Sequence, residues 1–239
     1  VRALVAQTRA EILMTARRGE SLLVTLGIPV IVLIFLGVVD IVPTDRAEPL
    51  DFLVPSVMAL AIMSAAMVNL AISTGFERQY GVLKRLGTTP LGRPRLLMAK
   101  VVTILIVEVV QLAVLTLVGL ALGWRPSGSL GVTLAAVLLG TAAFGGLGLL
   151  MAGTLRAEAT LAAANGLYVV LLLLGGIAVP VASLPAGLGA VASVLPSAAL
   201  SNVLVSALGG TGGDPRWWVI LSVWAAGSLV AAARWFRWD

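Results

Sequence analysis

The 239-residue chain has no cysteine and no histidine, and only 11% of its residues are charged. Without cysteine there is no disulfide framework and no thiolate metal site. Without histidine the usual proton shuttle, the commonest metal ligand and a Ser-His-Asp triad are all missing. A phosphate-cradling Gly-x4-Gly-Lys-Ser/Thr loop is absent too, because the two lysines, Lys84 and Lys100, follow Leu83 and Ala99. The chain reads as a non-enzyme by itself, binding no cofactor and no metal. A soluble domain carries about 25% charged residues, so this one has too few to cover a water-facing surface.

What is present is apolar: 59% of the residues, with a mean hydropathy of +1.07. Runs of about 20 apolar residues recur, the length needed to cross a hydrocarbon core about 30 Å thick. The alternating pattern of a membrane barrel is missing, which leaves helices as the spanning structure. The fold class expected is all-α integral membrane, one transmembrane domain over 1–239. Six spans are expected near 22–42, 52–74, 97–122, 131–154, 160–182 and 217–233. The first run is too long for a signal-peptide core, and no small-residue cleavage site precedes the polar PTDRAEP stretch.

Orientation follows from Lys and Arg. With the N-terminus inside, the inner side receives 13 of the 16 basic residues. The outer side keeps Arg46, Arg125 and Arg216, beside Asp45, Glu48, Asp51 and Asp214. That asymmetry predicts cytoplasmic termini in a multi-pass protein of the cytoplasmic membrane. It also accounts for the net charge of +5 without nucleic acid.

From Ala159 to Gly213 there are 55 residues without a charge, about 80 Å of helix at 1.5 Å per residue. Two full spans here would send Arg234 and Arg237 to the outer face, against the charge rule. Pro185 and Pro196 cut the second part into pieces too short to cross. A re-entrant or interfacial helical hairpin over 184–208 on the outer side is expected, followed by the GGTGG turn at 209–213. Trp217, Trp218, Trp235 and Trp238 bracket the last span as interfacial anchors.

Ahead of the first span, residues 2–18 hold no Pro or Gly and predict an interfacial helix. Its polar groups fall on two sides, with Gln7, Glu11 and Arg18 on one face. That suits a helix held between lipid headgroups and a protein partner, or a basic tail that only fixes topology.

The most informative segment is the bridge FERQYGVLKRLGTTPLGRPRLLMAK, Phe76 to Lys100. It carries six Lys and Arg residues and one acid, Glu77. Phe76, Tyr80 and Leu83 recur at i, i+4 and i+7 as an apolar stripe, and Pro90 ends the predicted helix over 76–90. A short helix with an apolar ridge and charged flanks can dock a soluble partner by shape and charge. The same charges can instead anchor span ends in headgroups.

Motif and order together resemble the ABC-2 type permease family, the membrane subunits of ATP-binding-cassette exporters. The residues that carry this are Glu77, Gly81 and Leu83, then Lys84-Arg85-Leu86, Thr89-Pro90-Leu91 and Leu97 through Lys100. They are similar to an E-x3-G-x-L-x2-L-x2-T-P-L pattern seen in daunorubicin-resistance-type permeases, and the outer Leu195-Pro196 segment looks like the family's. The resemblance implies a separate ATPase subunit that carries ATP and Mg, and a second permease copy or a homologous permease, in membrane lipid. It implies that Glu77, Arg78, Tyr80, Gly81, Lys84, Arg85, Thr89 and Pro90 couple to that ATPase. A second contact would draw on Glu11, Arg17, Arg18, Arg156 and Glu158, the last two standing alternatively as a local ion pair. The implied function is export of an amphipathic drug, antibiotic or lipid. The alternatives are an ATP-independent channel or secondary transporter, and a non-transporting scaffold.

Within the spans, Glu108 is an acid near the middle of the third, where a charge costs at least ~2.5–3.5 kcal/mol. With Gln111 one turn on, it is either a polar contact for substrate or a tie to a neighbouring helix. Met63, Met67 and Asn69 of the second span and Asn165 and Tyr168 of the fifth are further pathway candidates, by resemblance. The glycines of the fourth span, Gly140, Gly145, Gly146, Gly148 and Gly153, predict close packing against another helix. So does the Gly119-x3-Gly123 pair.

Overall fold

The computed structural model describes residues 7–9, 11–13, 19–38, 49–87, 92–175 and 185–238. Among these there are helices and connecting turns but no strand. In chain order the helices are α1 (Gly19–Val38), α2 (Leu50–Gln79), α3 (Val82–Gly87), α4 (Arg93–Ala121), α5 (Leu130–Thr154), α6 (Ala157–Leu174), α7 (Ala186–Ala192), α8 (Pro196–Gly209) and α9 (Pro215–Trp235). Residues 7–9 and 11–13 ahead of α1 are helical as well. The chain is an all-α integral membrane protein: α2, α4, α5, α6 and α9 are long and apolar enough to cross a bilayer. In α1 the apolar part is Thr25–Val38. The predicted ends of spans one and five, 39–42 and 176–182, lie outside the described residues.

The centre of the bundle is α2. From Phe52 to Met63 every residue is buried, as expected of a helix apolar on all sides. It is surrounded by α1, α4, α5, α6 and α8. Lipid tails are as apolar as leucine, so burial alone does not hold such helices together; close van der Waals fit does. The fit comes from α5. A Cβ added to Gly148 would stand 2.8 Å from the Met67 carbonyl oxygen, and one on Gly140 2.7 Å from Leu200 of α8. The glycine-rich face expected in the fourth span thus packs against several helices. The Gly119–Gly123 pair differs: Gly119 lies against Val54 and Trp124, whereas Gly123 has open space and a φ of +99°, so it forms the turn that ends α4.

Opposite Gly148, residues Ser64–Asn69 of α2 form a π-helical turn. Such a wider turn displaces carbonyls from the regular ladder, and the missing side chains of Gly145 and Gly148 leave the space that the Ala66 and Met67 carbonyls face.

Past α6, the described part of the uncharged stretch holds two short helices. Pro185 precedes α7 and Pro196 opens α8, where a missing N–H costs nothing. The connection between them reaches well down α9: the Trp224 indole Nε1 donates to Val194 O at 2.8 Å. Trp224 lies nine residues past Pro215, about 13 Å along that helix. From there α8 returns, packed on α2, α5 and α9, with Ser56 and Ser201 Oγ 3.1 Å apart. Its last carbonyls are met by the loop before α5. Ser127 N and Gly128 N donate to Leu208 O at 3.1 and 2.9 Å, and Ser129 N to Ala207 O at 3.2 Å. These are the acceptors that a helix end leaves open. Gly128 is needed there because a Cβ would fall 1.8 Å from Ala207 O. Gly128→Ala is expected to lower the thermal midpoint of the purified protein by several degrees, as read by unfolding in detergent.

Candidate coupling site

The C-terminal end of α2, both ends of α3, the start of α4, the α5–α6 turn and the end of α9 all gather at one end of the bundle. Their exposed side chains make it basic: Lys84, Arg85, Arg95, Arg156, Arg234 and Arg237, with Arg9 of the N-terminal segment.

The predicted single helix over 76–90 is broken in two. The chain leaves α2 at Gln79, turns through Tyr80 and Gly81, and restarts as α3 at Val82. Gly81 has a φ of +69°, a left-handed conformation that costs glycine little. The turn splits the apolar stripe. Tyr80, 68% exposed, and Val82 face outward with Lys84 and Arg85, while Leu83 is fully buried. Leu83 packs on Leu96 of α4, with Leu86, Phe236 and Trp238 around them. The rings of Phe236 and Trp238 meet edge to face at 4.9 Å. Trp238 therefore backs α3. Phe76 remains stacked with Tyr80, ring centres 6.2 Å apart.

Three residues that the resemblance placed on the partner-facing surface are turned inward. Glu77 Oε2 lies 2.6 Å from Lys100 Nζ. Glu11, 8% exposed, is 3.3 Å from the same nitrogen and accepts from Gln7 Nε2 at 3.1 Å. The Arg78 guanidinium donates to the Leu155 carbonyl in the α5–α6 turn. The physical reason is shared: a charge at the edge of an apolar bundle is costly unless paired. Lys100, 3% exposed, is the residue that the sequence left without a role. Its signal there was weak, a lone lysine eight residues past Gly92 at the head of an apolar run.

Arg156 and Glu158 are both exposed. Glu158 accepts from Gln79 Nε2 at 3.0 Å, which ties it to α2, and the charge of Arg156 also acts on it. Gly75 of α2 and Thr160 of α6 are close packed just beneath. Of the remaining coupling residues, Arg17, Arg18, Thr89 and Pro90 lie outside the described residues.

The pathway candidates are not brought together. Met63 and Met67 are fully buried in the core, and Asn69 sits at the end of the π turn. Asn165 is exposed on α6 and donates to Leu161 O at 2.9 Å; Tyr168 is packed against the core. Glu108 and Gln111 are buried, and they tie α4 to two different helices. Thr141 Oγ1 of α5 lies 2.6 Å from Glu108 Oε2 and 2.8 Å from Val137 O, and Gln111 Nε2 donates to Thr25 O of α1 at 2.8 Å. The single Thr141 hydroxyl proton faces two acceptors, and an amide at position 108 would supply a second. Glu108→Gln is therefore expected to keep the fold and the transport rate, whereas Thr141→Val loses about 0.6 kcal/mol of helix association, read as a small fall in thermal midpoint. A folded Glu108→Gln protein without transport would exclude the tie.

A sequence profile of the ABC-2 type transporter family matches residues 2–208, most of the chain. The chain belongs to the ABC-2 type transporter family. This ABC-2 protein is thus a membrane-embedded permease component of an ABC-type transport system, a class whose members pair with an ATP-binding subunit. The match takes in α1 to α8, hence both short helices α7 and α8 and the broken 76–87 segment, and stops before α9. No curated protein matches the chain.

Proposed function

We propose that this ABC-2 permease is the translocating subunit of an ATP-driven exporter, docked on a separate ATPase subunit through Tyr80, Val82, Lys84 and Arg85. The observation that carries the reading is the form of the 80–85 segment. It exposes an aromatic, an aliphatic and two cations on one short rigid turn, while Leu83 pins it from behind. An aromatic anchor flanked by basic residues is a composition that dominates binding energy at interfaces and steers an acidic partner. ATP and Mg bind on that partner, and the cytoplasmic side is the basic end.

Two permease chains surround the path. The outer face of α6 supports this, because Leu161, Val169, Val170 and Leu173 are exposed there with the polar Asn165 among them. Membrane-exposed polar groups favour a protein neighbour. Differential binding of ATP to inward- and outward-open states drives the switch between them. The substrate is amphipathic, a drug, an antibiotic or a lipid, since Glu108 is the one acid within the third span and it is tied to Thr141.

Purification of the tagged permease with its native neighbours tests the reading. An ATPase subunit is expected to co-purify, and transport in vesicles should require ATP. Transport by this chain alone, without nucleotide or partner, overturns it.

A further inference from the structure

We propose that Lys100 is the positioning residue of the coupling segment, a shared counter-ion that fixes the docking turn and the N-terminal helix to the head of α4. The inference rests on the docking reading above and adds what sets the orientation of that surface. Lys100 Nζ is within 2.6 Å of Glu77 and within 3.3 and 3.5 Å of the two Glu11 oxygens. The three side chains come from the end of α2, the N-terminal segment and the start of α4.

Two consequences follow from that placement. The Glu77–Lys100 pair closes the chain between them into a loop at its membrane end, and Tyr80, Val82, Lys84 and Arg85 all project from that loop. The Leu83–Leu96 contact is the second tie across it. Further, a buried cation shared by two carboxylates does not lose all pairing when one of them moves. Glu11 still holds Lys100 if the docking turn is displaced, and Glu77 still holds it if the N-terminal segment is. Removing the lysine has the opposite effect, leaving two carboxylates facing each other in a poorly solvated site, where like charges repel.

The chain has no native cysteine, so paired spin labels can be placed freely. One pair, at Arg9→Cys and Val82→Cys, spans the triad; both positions are exposed. A control pair, at Leu130→Cys and Leu188→Cys, reports the opposite end of the bundle. In the permease alone in lipid, the Arg9–Val82 distance distribution is expected to be narrow. In Lys100→Met it should at least double in width, and Lys100→Arg should restore it; the control pair should stay unchanged in both. An unaltered Arg9–Val82 distribution in Lys100→Met overturns the proposal. Equal broadening of both pairs also overturns it, as general loosening of the bundle. No ATPase takes part in this measurement, so failure of the docking reading and failure of the positioning role are read separately.

Discussion

Gly146→Leu is expected to abolish the folded bundle, not merely to weaken it. At Gly146 α5 lies directly against the backbone of α9. A Cβ there would lie 2.2 Å from Ser228 Oγ and 2.8 Å from the Leu229 backbone nitrogen. The nitrogen belongs to a helix backbone, so no rotamer change relieves the clash; α9 must move as a body. Movement also breaks the Ser228 Oγ to Ala143 O bond of 2.9 Å between the same helices. Overpacking typically costs about 1–3 kcal/mol and occasionally more, and here the Cβ alone already meets backbone, which puts a whole leucine side chain beyond that range. Domains have only about 5–15 kcal/mol to lose. The built-in control is Gly227, one residue from Ser228, whose added Cβ would meet nothing within 4 Å. Gly227→Leu should leave the thermal midpoint and the size-exclusion profile in detergent intact, and Gly146→Leu should yield aggregate. Equal behaviour of the two would mean that the α5–α9 contact is not close packed.

The second large effect is expected from double charge reversal, Lys84→Glu with Arg85→Glu. Both side chains are exposed on α3, so the change leaves the core contacts of Leu83 and Leu96 alone. Stability should shift little, since surface substitutions typically stay within about 0.5 kcal/mol. Binding is different. Like charges brought together at an interface cost several kcal/mol, and each 1.4 kcal/mol is about tenfold in affinity. ATPase affinity for the permease should therefore fall by roughly a hundredfold or more, measured by titrating labelled ATPase subunit onto reconstituted permease. Raising salt should weaken the parent complex as well. A folded double variant that binds its ATPase as tightly as the parent would remove the docking surface from consideration.

The sequence was most legible where a short-range rule decides. Apolar run length located the helices of the bundle, and Pro185 and Pro196 marked where the uncharged stretch divides into α7 and α8. The glycines of α5 announced a close-packed face because nothing else suits helices that touch in lipid. It was least legible where partners are far apart in the chain. Glu11 and Lys100 are separated by 89 positions, so nothing local says that Glu11 turns inward. Glu77 and Arg78 looked like surface charges for the same reason, since a helical wheel does not know which side meets α4 or the α5–α6 turn. The 76–90 helix failed for a conformational reason. A period of 3.6 presumes a continuous helix, and the positive φ of Gly81 breaks it between Tyr80 and Leu83. The π turn at 64–69 has no compositional mark at all; it answers to space on α5.

The unbroken course of α2 has a mechanical corollary. Its 30 residues make a strut of about 45 Å whose one tip continues into the turn at Tyr80 and Gly81, while its far half is wedged against α8 with Ser56 facing Ser201. Axial load applied at Gln79 has no loop in which to dissipate before it reaches α8. The one stretch of this helix able to absorb strain is the wide turn at 64–69, midway along, so stiffness there sets how much displacement at one tip arrives at the other.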